Sequence, residues 1–99
     1  MSESVKSSGS LAVDTGELLF AGASRIHYVS ITPAAAASSI RIYDNALGDA
    51  SGTLLIELNV AASTATNSAV LDCPVIALKG LSYVVAGTGA TGLIHFSIL

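Results

Sequence analysis

The chain has 99 residues, 52% hydrophobic and only 11% charged, with one cysteine and no tryptophan. That length fits one domain around one core, and ordinary domains carry about 25% charged residues. A formal charge of −3 with four Lys and Arg leaves no basic stripe for nucleic acid, and a lone Cys73 forbids an intrachain disulfide. With so few charges, the outside must be Ser, Thr and Ala, or be covered by other subunits, and both are expected.

Met1 to Ser10 is polar and serine-rich. It lacks the apolar core of a secretory signal, so no leader is expected. It reads as a flexible N-terminal arm over residues 1–10, ahead of a single domain over 11–99. A frayed end is the plain reading. The sharper one is an arm that orders on a partner, with Val5 and Leu11 as anchors, against about 1–2 kcal/mol of backbone entropy per residue.

Glu17 to Ala21 and Ser24 to Thr32 read as strands joined near Ala21-Gly22-Ala23. In the second, alternation sets Ile26 and Tyr28 against His27, Val29 and Ile31, so both faces are expected to be covered. Pro33 ends it, and Pro33 to Ala37 is a loop with room for one helical turn started by Thr32. The clearest alternation runs from Ile40 to Val60. Ile40 and Ile42 point one way, Arg41 and Tyr43 the other. Asp44-Asn45 and Gly48 to Gly52 supply turn chemistry. Leu54, Ile56, Leu58 and Val60 then face in, with Leu55 the one apolar residue among the outward Thr53, Glu57 and Asn59.

Ala61 to Ser68 is a small-residue loop. Ala69 to Cys73 is a short strand ended by Pro74, which favours an edge or a crossing between sheets. Val75 to Lys79 follows, then a turn at Gly80. Leu81 to Ala86 has Leu81, Tyr83 and Val85 on one face. Gly87 to Gly92 reads as a hairpin turn, and Leu93 to Ile98 sets Ile94, Phe96 and Ile98 against His95 and Ser97. About eight short strands with frequent turns predict an all-β antiparallel sandwich, jelly-roll-like. The uncharged stretch from Gly80 to Leu99 fails as a membrane span, because GTGATG interrupts it and Ser82, His95 and Ser97 dilute it. A soluble protein made in the cytosol is expected.

No motif points to chemistry. Gly87 to Gly92 fits G-x-G-x-x-G, but a dinucleotide site needs a helix next, and a strand follows. Asp44, Asn45 and Asp49 could offer oxygens to calcium, yet their spacing is not that of an EF-hand and Asx-turns are the commoner use. His27, His95 and Cys73 are scattered soft ligands without paired spacing. Ser, His and Asp occur without a G-x-S-x-G elbow. Tyr28, Tyr43 and Tyr83 could line a sugar-binding face, though cross-strand packing is their ordinary role. No catalytic residue, metal or cofactor is predicted, and an enzyme is not expected.

Some segments carry a resemblance. Arg41, Tyr43 and Asp44; Gly52, Thr53 and Leu54; Asp72, Pro74 and Val75; and Gly80, Leu81, Tyr83, Gly87, Thr88 and Gly89 form a pattern similar to small β-sandwich structural proteins of tailed bacteriophages. It covers roughly Ile40 to Phe96 and departs at Ser82, which splits the Leu-Tyr pair. The resemblance implies a virion structural protein, a capsid decoration (cement) protein on the capsid exterior. It also implies the major capsid protein as partner, a homo-oligomer with a trimer favoured, and synthesis in the host cytoplasm, with no nucleic acid or membrane partner. A head–tail completion or tail component on the same fold, and a carbohydrate- or receptor-binding sandwich, are the alternatives. The residues expected at an interface are Val5, Leu11, Arg41, Tyr43 and Leu55.

Overall fold

A computed structural model of the chain describes residues 5–12 and 16–99. The described residues form nine strands: β1 (Lys6–Ser7), β2 (Leu11–Ala12), β3 (Glu17–Ala21), β4 (Ser24–Thr32), β5 (Ser38–Asp44), β6 (Thr53–Val60), β7 (Asn67–Ala77), β8 (Gly80–Ala86) and β9 (Thr91–Ile98). They build two sheets, one ordered β1–β9–β4–β7 with β2 also on β9, the other β3–β8–β5–β6. The antiparallel sandwich expected from the alternation is the fold.

The pairing is nested. β5 pairs with β6, β4 with β7, β3 with β8, and β1 and β2 with β9, all antiparallel. The chain is thus one long hairpin bent at residues 45–52. It is rolled up so that β4 also meets β9 and β5 also meets β8, the arrangement of a jelly roll. From β3 onward only the β5–β6 connection stays within one sheet; every other connection crosses the sandwich.

Between the sheets lies a core of β-branched and aliphatic side chains, the type that fills a pleated, half-buried surface. Ile26, Val29, Ile31 and Ile94 from one sheet meet Ile40, Ile42, Leu81 and Val85 from the other, all fully buried. Each such side chain contributes about 1.5–3 kcal/mol by leaving water. Phe20 of β3 and Phe96 of β9 bridge the sheets, with ring centroids 5.9 Å apart.

Two bulges change faces that strict alternation would assign. The register of β4 shifts between Ile26 and Tyr28 against both neighbours. The extra residue puts Ile26 on the same inner face as Val29 and Ile31, not opposite them. In the β5–β6 pair, Ile42 lies opposite Ile56 but Tyr43 lies opposite Leu54. Leu55 is the unpaired residue, and it packs against the core. Leu54, expected inside, is 44% exposed.

Three other expectations change. The segments Ala69–Cys73 and Val75–Lys79 are not two strands: a single strand, β7, runs through Pro74 to Ala77. It lies at a sheet edge, and Pro74 falls in an offset where Ile26 pairs with Val75 but Tyr28 with Val70; a missing N–H is tolerated there. The Gly87–Gly92 segment is no hairpin, since β8 and β9 belong to different sheets. Gly87 has φ +108°, and a Cβ on it would stand 2.8 Å from the Ala37 carbonyl, so glycine serves a tight crossing turn. Residues 33–37 form no helical turn.

Part of the segment expected as an arm lies along β9. Lys6 pairs with Phe96 and Ser7 with His95. The Ser8 N–H donates to Ile94 O (2.8 Å), and the Ile94 N–H donates to Ser8 Oγ (2.9 Å). Residues 1–4 of that arm lie outside the described residues.

Candidate partner surface

The loop at residues 45–52 is built by two adjacent polar residues. Asp44 ends β5, and its carboxylate accepts the N–H groups of Leu78 (3.1 Å), Lys79 (2.8 Å) and Gly80 (3.4 Å). Burial pushes this carboxyl up, but the N–H groups of Lys79, Leu78 and Gly80, aided by the Lys79 charge, outweigh it and hold the group below its ordinary value. Asn45 is buried; its Oδ1 accepts the Leu47 N–H (2.9 Å), and its Nδ2 donates to the carbonyls of Asp49 (3.0 Å) and Ser51. Asp49 Oδ1 in turn accepts from the N–H (3.1 Å) and hydroxyl of Ser51. Asp44 Oδ1, Asn45 Oδ1 and Asp49 Oδ1, three of the oxygens that might have suited calcium, thus accept the chain's own N–H and O–H groups.

Ser82 closes this network. Its hydroxyl donates to Asn45, with Oδ1 at 2.6 Å and O at 3.0 Å, and accepts the Gly48 N–H at 3.0 Å. It is fully buried although its neighbours Leu81 and Tyr83 occupy the core face. The 45–52 loop folds back over the outer face of β8 and covers it. The residue at which the chain departs from the resembling pattern is thus a structural centre, and only the Asp-Asn pair hinted at it.

The five residues expected at an interface fall into three groups. Arg41 is exposed, and its Nε donates to Glu57 Oε2 at 2.8 Å across the β5–β6 pair; this hydrogen bond, then the Glu57 charge, raises the guanidinium above its ordinary value. Tyr43 is half-buried on the same sheet and Val5 is exposed. Leu11 and Leu55 are corrections. Leu11 is only 7% exposed and belongs to the core of its own chain. Leu55 is half-buried, turned by the bulge to pack against the core and not outward as alternation placed it.

The two ends of the sandwich differ in chemistry. At the end with residues 21–23, 78–79 and the β5–β6 loop, the large aliphatic side chains Val5, Leu18, Leu47, Leu54, Ile76, Leu78, Ile98 and Leu99 stand exposed. The strand registers put the strand residues among them within the last three rows of each sheet: Ile98 opposite Ser24, Ile76 opposite Arg25, Leu18 opposite Ser82, Leu54 opposite Tyr43. The opposite end carries the loops 33–37, 61–66 and 87–90, made of Ala, Ser, Thr, Gly and Pro. Two shallow grooves lie toward it, about 330 Å³ lined by Ala37, Ser38, Ser39, Asn59, Val60 and Ala61 and about 220 Å³ lined by Ser10, Ser30, Thr32, Thr91, Gly92 and Leu93. Their walls offer hydroxyls and amides but no titratable side chain.

The histidines are used within the sheet. His27 Nε2 and Ser97 Oγ lie 2.7 Å apart in a hydrogen bond, and the His95 ring packs on Tyr28 at 5.1 Å. Tyr83 is buried and its hydroxyl donates to Glu17 Oε2 at 3.1 Å. The side chains of Asp72 and Cys73 lie outside the described residues. Compared with protein-family models, curated proteins and solved structures, the chain matches none.

Proposed function

We propose that the chain is a virion structural protein of a tailed bacteriophage: a decoration (cement) protein, made in the host cytoplasm, that sits on the capsid exterior and bridges major capsid protein subunits. The observation that carries this reading is the division of the surface into two unlike ends, one with large exposed aliphatic side chains and one with small hydroxyl-bearing residues. A bridging subunit makes two different contacts and has use for two different surfaces. The resemblance of the segment from Ile40 to Phe96 supplies the virion setting.

Such a subunit stabilises a shell because it binds the assembled state and not the dispersed one. A homo-oligomer, with a trimer suited to three-fold positions, repeats one modest contact and gains through effective concentration. The low charge of the chain favours close approach to a protein surface over binding to nucleic acid.

The test is cryo-electron microscopy, with mass spectrometry, of particles purified from the source that encodes the chain. Density for a sandwich repeated over the capsid lattice is the expected result. Density at a single vertex would make it a head–tail or tail component, and particles lacking the chain would overturn the virion reading.

A further inference from the structure

We propose that Lys6, Ser7 and Ser8 form a guard strap, lying on the outer edge of β9 and keeping that edge from pairing with the β9 edge of a second copy. The strap acts on the free chain, before any partner is met, so the virion reading is not needed for it.

β9 is the strand that most needs cover. Residues 93–98, LIHFSI, hold no Asp, Glu, Lys, Arg, Gly or Pro, and Ile94 and Phe96 belong to the core. Uncharged apolar windows of that length, free of proline, are the ones that add strand to strand between molecules. On one side β9 is paired with β4 from Thr91 to Ile98. Only the other side could take a foreign strand, and an open edge there would present the unpaired N–H and C=O groups that invite one.

The three other sheet edges, β7, β6 and β3, carry devices of their own. β7 runs through Pro74, which has no N–H to offer a ladder. β6 leaves Leu55 unpaired in its bulge, bears the charge of Glu57, and has its Asn59 carbonyl accepting from Asn67 Nδ2 at 2.9 Å. β3 starts on Glu17 and is broken by a register shift between Leu18 and Phe20. Bulges, charges and proline are the ordinary means of blunting an edge. Residues 93–98 of β9 have none of these.

The strap supplies what they lack. Lys6 pairs with Phe96 and Ser7 with His95. Ser8 takes both backbone groups of Ile94, its N–H donating to Ile94 O at 2.8 Å and its Oγ accepting the Ile94 N–H at 2.9 Å. The strap is itself a poor template. β1 is two residues long and one of them is Lys6; Gly9, at φ +71°, parts it from β2, also two residues long. Very short edge strands bearing lysine end a sheet. A long uncharged edge is thereby exchanged for a short charged one.

Deletion of residues 2–8 removes the strap and spares Leu11, which belongs to the core. Sedimentation velocity on the full chain and on this variant, between about 10 and 100 μM, is expected to show the variant associating at least about tenfold more readily. Hydrogen exchange locates the contact: the amides of Ile94 and Phe96 should exchange fast in the dilute variant and become protected as it associates. In the full chain, Ser8→Pro removes both the N–H and the hydroxyl that hold Ile94, and it is expected to shift association the same way. It decides the matter if the deletion variant does not fold. Either variant, folded and sedimenting as the parent does over that range, overturns the proposal. So does association that leaves the Ile94 and Phe96 amides as labile as in the dilute state.

Discussion

The carboxylate of Asp44, at the end of β5, accepts the backbone N–H of Lys79 at 2.8 Å, thirty-five positions along the chain. Asp44 stands in one sheet, and Lys79 in the turn where the chain leaves the other. With the N–H groups of Leu78 and Gly80 also on it, the carboxylate fastens an inter-sheet crossing that no hairpin ladder can hold.

Asp44→Asn is therefore expected to cost about 1 kcal/mol at pH 7, a hydrogen bond to a charged group discounted for its solvent access. The folded-state pKa is depressed, so the stability it confers is complete above the unfolded value of about 3.9 and is lost as pH falls through the folded one. Urea midpoints from pH 7 down to pH 2.5 check this: the gap between parent and variant should close in the acid range.

Ser82→Ala would leave the Asn45 side chain and the Gly48 N–H short of a partner beneath a covering loop. Unpaired buried groups cost about 1–3 kcal/mol, so the melting temperature should fall and the amides of Leu47 and Gly48 should exchange faster than the rest of sheet β3–β8–β5–β6. Unchanged exchange at those amides would mean the loop is not held by Ser82.

Gly80 is fixed by close approach. A Cβ there would stand 2.6 Å from the Asn45 carbonyl and 3.0 Å from that of Phe20, both backbone atoms that cannot swing aside. Gly80→Ala is expected to destabilise by about 1–3 kcal/mol, as overpacking does. Chemical denaturation of the purified variant measures it.

The bulge in β6 predicts opposite outcomes for neighbouring leucines. Leu54→Ser should change stability by no more than about 0.5 kcal/mol, as exposed sites do. Leu55→Ala removes a side chain packed on the core and should cost about 2 kcal/mol. Equal effects would contradict the register.

Much of this fold can be read from residue alternation. Ile40 and Ile42, and Leu81, Tyr83 and Val85, lie on the faces that period-two patterning assigns. What patterning misses has specific causes. A bulge adds one residue without changing composition, so nothing in His27-Tyr28 or Leu54-Leu55 announces that the faces exchange. Glycine-rich turns look alike whether they close a hairpin or carry the chain between sheets; for Gly87 the close approach of Ala37, fifty residues earlier, decides. Ser82 reads as an ordinary outward strand residue because its burial depends on a loop that begins nearly forty positions before it. The candidate surface is the least legible part: the exposed leucines are scattered in sequence and gather toward one end only through strand register, while Leu11 joins the core and Leu55 packs against it.

The nested pairing has a kinetic consequence. Once the bend at residues 45–52 has brought β5 and β6 together, β4 and β7 are already close, and each further pair closes only the short loops between strands. Contacts far apart in sequence thus become cheap in loop-closure entropy when they form in order. Substitutions near the bend should slow refolding, while those where β1 and β2 lie on β9 should mainly hasten unfolding. The molecule would assemble like a zip closed from its fold outward, the rolling of its two flaps coming last.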